Sequence, residues 1–231
     1  MDIILTDESK SWLAMGFFTP TYRPYAEALA KQLHVHGAPH HFFAVERSGT
    51  WTHETMRKPS IVLDAMKVYP KKSLILMDVD CSVGGPIDGL PALNSPVDIS
   101  CFLYVRTKKF GRHRQRASLS SRVVVVRPTD GARAFMVNWQ DACAERPWMH
   151  GDEPNMMLAL SRSSGTSFSP IPLSFSGRER RDALADAVVT HDSASSQSNE
   201  IGSWLSRFWG SSSSNQTRST IKSLPHSDAE R

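Results

Sequence analysis

The chain has 231 residues, 40% hydrophobic and 22% charged, which is the ordinary composition of a globular protein with one sizeable domain and room for a small appendage. A net charge of +4 suits anionic substrates but does not call for nucleic acid. Three widely spaced cysteines, Cys81, Cys101 and Cys143, fit a reducing compartment better than a disulfide framework and form no CxxC zinc pair, no apolar run reaches membrane-spanning length, and the N-terminus lacks signal-peptide character, so a cytoplasmic enzyme is expected.

The apolar run Leu13-Ala14-Met15-Gly16-Phe17-Phe18 reads as a first strand, closed by Thr19-Pro20. A helix starts near Pro24, with Tyr22, Tyr25, Ala26, Leu29 and Leu33 at helical spacing, and Gly37 ends it. His41-Phe42-Phe43-Ala44-Val45 reads as a second strand. Lys58-Pro59 opens a second helix with Ile61, Val62, Ala65, Met66 and Tyr69 on its buried face, and Pro70 stops it. Leu74-Ile75-Leu76-Met77 follows at once as a short buried strand. This alternation predicts an α/β fold with parallel strands and crossover helices. Further on, residues 98–105 and 123–126 read as strands, and Phe135, Met136, Trp139 and Cys143 mark a helix face. Gly151-Asp152-Glu153-Pro154 starts another helix that an acidic side chain can cap, and residues 187–191 form a last short strand. The domain is expected to span residues 1–195, and the Ser-rich residues 196–231 a flexible tail.

Asp78-Val79-Asp80 stands directly after the buried strand. Residues two apart on a strand project to one side, so the two carboxylates repel each other unless a cation lies between them. Hard oxygen ligands suit manganese or magnesium, and the carboxyl end of a sheet strand is where open α/β sheets bind ligands. A solvated strand end is the bland alternative; the apolar run before the triplet and the turn residues after it favour a metal site.

Residues 58–90, KPSIVLDAMKVYPKKSLILMDVDCSVGGPIDGL, resemble the metal-binding core of the GT-A glycosyltransferases, the nucleotide-diphospho-sugar transferase group. In that family a helix with a basic residue precedes a buried strand that ends in D-x-D, and a Pro-x-Asp turn follows. Phe17-Phe18-Thr19-Pro20-Thr21-Tyr22 is similar to its first strand and nucleotide-facing turn, and Gly151-Asp152-Glu153-Pro154-Asn155 to the acidic helix start that faces sugar and acceptor. Thr190-His191-Asp192-Ser193-Ala194-Ser195 resembles the C-terminal strand whose histidine completes the metal site.

The resemblance, spanning roughly residues 12–195, implies a GT-A-like Rossmann-type mixed sheet flanked by helices. It further implies a metal-dependent hexosyltransferase-like enzyme. Asp78, Asp80 and His191 would hold the divalent cation, manganese foremost; Thr19, Tyr22, Lys58 and Asp78 would meet the donor; and Asp152 would touch the donor sugar or act as base. The donor would be a nucleotide-sugar, a UDP-sugar favoured, and the acceptor a glycan, a lipid-linked sugar or a small molecule. Each residue also has a plain reading: Asp152 as an N-cap, Lys58 as a solvated helix start, Thr19 as a turn residue, His191 as a core histidine.

Two rival functions stay open at the level of sequence. A haloacid-dehalogenase-like phosphatase also sets D-x-D after an apolar strand, with Asp78 then the nucleophile. A catalytically inactive nucleotide-sugar-binding module is the other. The basic stretch at 108–116 and the aromatic group Trp204, Leu205, Phe208 and Trp209 allow peripheral contact with an anionic membrane, although an exposed loop and a packed tail explain them as well.

Overall fold

The computed structural model describes residues 1–107, 115–149, 151–176 and 187–191. Met1–Ser193 form one compact unit. The aromatic group of the tail and residues 108–114 of the basic stretch lie outside the described residues.

The strands are β1 (Ile3–Leu5), β2 (Trp12–Phe18), β3 (His40–Ala44), β4 (Ser73–Met77), β5 (Cys81–Val83), β6 (Ile99–Thr107), β7 (Gln115–Val126), β8 (Phe168–Pro170) and β9 (Val189–His191). The helices are α1 (Arg23–Val35), α2 (Trp51–Thr55), α3 (Lys58–Val68), α4 (Pro91–Asn94), α5 (Asp130–Glu145) and α6 (Glu153–Arg162). Seven strands form one sheet in the order β1-β3-β2-β4-β7-β6-β8, and β5 pairs with β9 apart from it. The β3-β2-β4 heart has the parallel crossover pattern read from the sequence, and β8 adds a second parallel pairing beside β6. β1 is antiparallel to β3, and β7 runs antiparallel to both β4 and β6, so the sheet is mixed. The four valines at 123–126 are the last part of a longer strand.

Both faces of the sheet are covered, which explains why β4 is an unbroken apolar run. Leu74 and Leu76 face Val62, Ala65, Met66, Phe135 and Trp139, while Ile75 and Met77 face Ala26, Leu29 and Leu33. Leu74, Ile75, Leu76 and Met77 are each at most 1% exposed. Burial of such side chains contributes about 1.5–3 kcal/mol apiece.

Two glycines meet specific demands. Gly37 has φ +62° after α1, where the Ala38 amide donates to the Leu33 carbonyl at 2.9 Å and the Gly37 amide to that of His34 at 3.0 Å. This left-handed closure stops the helix and turns the chain into β3. Gly16 lies between β3 and β4, and a β-carbon there would stand 2.4 Å from the Met77 carbonyl oxygen. The close approach holds β4, and the aspartates that follow it, tightly against β2.

Candidate metal and donor site

The aspartates converge through a turn rather than through strand alternation. β4 ends at Met77; the Asp78 amide still donates across to the Arg122 carbonyl at 2.9 Å, and the Cys81 amide then donates back to the Asp78 carbonyl at 2.9 Å. This turn buries Val79 in the core and sends the chain into β5. There Cys81 stands opposite His191 of β9, which brings the histidine beside the acidic pair. His191 Nε2 lies 3.0 Å from Asp80 Oδ1. Asp78, Asp80 and His191 each offer one ligand atom, and those atoms lie within 4.8 Å of one another.

The donor set fits a divalent cation. An octahedral ion with bonds of about 2.1 Å sets neighbouring ligands about 3 Å apart, which matches the Asp80–His191 separation. Two carboxylate oxygens with an imidazole nitrogen suit manganese and, with fewer protein ligands, magnesium. His191 Nδ1 is buried with no hydrogen-bond partner among the described residues.

Lys58 is the residue whose surroundings depart most from the sequence expectation. Instead of a solvated helix start it is 4% exposed. Its ammonium lies 2.7 Å from Asp78 Oδ1 and 3.3 Å from Asp152 Oδ2, and donates to Ser121 Oγ at 3.1 Å. Its three donors are thus directed at protein groups, and the cation links two carboxylates instead of standing open to solvent. Burial by itself pushes the Lys58 pKa down, but the charges of Asp152 and Asp78 outweigh it and the net direction is up. A cation in the first turn of α3 also opposes the helix dipole, a local cost that its two anionic partners offset. Burial pushes the Asp78 carboxyl up, the Lys58 charge opposes this, and the neighbouring Asp80 and Asp152 add to the rise.

Asp152 stands at the start of α6 but does not cap it. Its backbone is already helical and its side chain makes no capping hydrogen bond. The carboxylate is 4% exposed and turned to Lys58, while its backbone carbonyl accepts from the Trp139 indole at 3.3 Å and from the Met156 amide at 2.9 Å. Tyr22 is half-buried above the acidic pair; burial and then the Asp80 charge raise its phenol pKa. Thr19 is buried in the turn, its carbonyl accepting from the Tyr22 amide at 2.9 Å and its hydroxyl 3.3 Å from that of Thr21.

Two participants have no evident mark in the sequence. Ser121 comes from the middle of β7 and is one of several serines there. Asn155, in the first turn of α6, is fully buried beside the Cys143 thiol. Lys58 did carry a signal, since a lysine at a helix N-terminus is misplaced for the dipole unless acidic groups surround it.

The chain is similar in structure to a glycosyltransferase involved in the glycosylation of the major capsid of PBCV-1, with a TM-score of 0.59 and 16% identity over 82% of this chain and 99% of that one. The fold is that of the GT-A glycosyltransferases. The galactosyltransferase LgtC, solved with donor and acceptor sugar analogs, is similar at a TM-score of 0.50 and 9% identity, over 78% of this chain and 86% of that one. No protein-family model matches the chain, and no curated protein matches it. In this GT-A fold the acidic triplet, the buried lysine and the half-buried tyrosine all lie at the carboxyl end of the parallel strands, the edge at which such sheets bind ligands.

Proposed function

We propose that the protein is a metal-dependent glycosyltransferase that moves a sugar from a nucleotide-diphosphate donor, a UDP-sugar foremost, to a glycan, lipid-linked or small-molecule acceptor. The observation that carries this reading is the convergence of Asp78, Asp80 and His191 at the end of β4 in a GT-A fold. These three residues would hold manganese or magnesium. The bound cation supplies charge stabilisation for the leaving diphosphate. Lys58 orients Asp78 and compensates its charge, so that the site does not carry several uncompensated carboxylates. Asp152, turned to the same lysine, touches the donor sugar or takes the acceptor proton. Tyr22 and Thr19 shape the wall that meets the nucleotide.

The fold favours this reading over a phosphatase that uses Asp78 as nucleophile, since the similar structures are glycosyltransferases. A cytoplasmic setting is supported by three buried cysteines with free thiols. Among the described residues no helix is long and apolar enough to cross a membrane.

Calorimetry with UDP tests the proposal. Binding is expected with manganese, and loss of binding is expected in chelator and in Asp80→Ala. Equal binding under all three conditions would refute it. An inactive nucleotide-sugar-binding module would bind the same way yet neither transfer nor hydrolyse any UDP-sugar.

A further inference from the structure

Trp51 is 57% exposed, yet it does not stand on a loose loop. The chain leaves the carboxyl end of β3, the edge on which β2 and β4 present Tyr22 and Asp78, and folds around the Glu54 carboxylate. Glu54 accepts from the Ser48 amide at 2.6 Å, the Gly49 amide at 3.0 Å, the Ser48 hydroxyl at 3.0 Å and the Arg57 guanidinium at 2.9 Å. Arg57 also donates to the Glu46 carbonyl at 2.8 Å, and Thr50 caps α2 by accepting from the His53 amide at 3.3 Å. The frame fixes the backbone on both sides of an indole that the core does not use.

That indole borders the site. Its Cη2 lies 4.0 Å from the position of a β-carbon on Gly151, the residue before Asp152. Gly151 is buried with φ +84°, so the chain enters α6 there in a conformation open to glycine, with the tryptophan ring against it. The metal cluster is reached from Lys58 through Asp78, and Trp51 from the same lysine through Asp152 and its chain neighbour Gly151.

Single exposed apolar residues are common on surfaces, but a half-exposed tryptophan on a hydrogen-bonded backbone, set against the residue that precedes a buried carboxylate, has a chemistry of its own. The indole face is large, apolar and electron-rich. It suits the C–H face of a neutral sugar ring and gives nothing to a diphosphate. A preformed aromatic wall also lowers the ordering cost of binding. We propose that Trp51 is a stacking platform for the acceptor saccharide, which it holds against the Gly151–Asp152 segment. This assignment rests on the glycosyltransferase reading for its biological sense, although the platform itself is tested without catalysis.

Saturation-transfer NMR of the whole chain with the methyl glycosides of glucose, galactose, mannose and N-acetylglucosamine reads saccharide contact directly. Signal transfer to at least one of them is expected, at least fivefold weaker in Trp51→Ala and largely retained in Trp51→Phe. Melting temperatures of the three proteins report that all are folded, and UDP binding with manganese is expected to be equal in all three. Absence of transfer in the natural chain, unchanged transfer in Trp51→Ala, or loss of UDP binding with saccharide contact intact would each overturn the assignment. If no protein binds UDP while saccharide contact still depends on Trp51, the platform stands and the nucleotide-donor reading fails.

Discussion

The Lys58 ammonium lies 2.7 Å from Asp78 Oδ1, the lysine buried and the aspartate partly so, with Asp152, itself buried, also within reach of the lysine. The pair joins α3 to the end of β4 and sets the charge of the site before any ligand arrives. Replacement of Lys58 by Met leaves two carboxylates without their cation. A loss of about 3–5 kcal/mol is expected, since removal of one partner strands a buried charge. In a domain of this size that is a fall in Tm of roughly 10 °C, read by differential scanning fluorimetry. Adding Asp152→Asn to Lys58→Met is expected to restore part of the loss; a purely additive pair would show that the two residues do not interact.

His191 reaches the acidic pair through the β5–β9 pairing. His191→Ala is expected to weaken manganese binding about tenfold or more, equivalent to about 1.4 kcal/mol. The thermal stabilisation by manganese shrinks accordingly, because a ligand of the native state stabilises by mass action. Titration of Tm against manganese in the natural chain and the variant decides this. Identical curves would remove His191 from the ligand set.

Gly16→Ala tests the close contact between β2 and the end of β4. A β-carbon 2.4 Å from the Met77 carbonyl meets backbone, so no rotamer change relieves it. The strands must part, at a cost of about 2 kcal/mol or more. A lower urea midpoint is expected, together with weaker manganese binding, because Asp78 follows Met77 directly. A midpoint unchanged from that of the natural chain would show that the strands can give at this point.

Asp98 links three elements outside the site. Its carboxylate accepts from the Thr129 hydroxyl at 2.5 Å, the Ser167 amide at 2.8 Å and the Ser167 hydroxyl at 2.7 Å. Partial burial pushes its pKa up, but the bonds from Thr129 and Ser167 outweigh this and the net direction is down. A carboxylate with a depressed native pKa contributes stability above its unfolded pKa of about 4 and loses it as pH falls through the native value. Asp98→Ala is expected to cost about 1 kcal/mol at neutral pH, discounted for the solvent that screens this half-exposed group, and to flatten the acid limb of the stability curve, followed by urea denaturation between neutral and strongly acidic pH. A parallel downward shift at every pH would assign the loss to packing instead.

Local chemistry made much of the architecture readable in advance. The helical spacing of Ala26, Leu29 and Leu33, the stop at Gly37 and the apolar run before Asp78 each reflect forces that act within a few residues, and the elements stand where those patterns put them. β1, α2 and β8 escaped because three to five residues carry no full period, and the antiparallel pairing of β6 and β7 left no mark in either strand alone. At the site, the position of Asp78 and Asp80 at a strand exit, and the repulsion between their carboxylates, follow from a handful of neighbouring residues. What surrounds them came from the packing of the whole chain: His191 delivered opposite Cys81, Lys58 buried between Asp78 and Asp152, and Trp51 set against Gly151. Periodicity is a property of one segment, whereas these neighbours meet because the strand order of the mixed sheet and the separate β5–β9 pair bring distant segments to one edge.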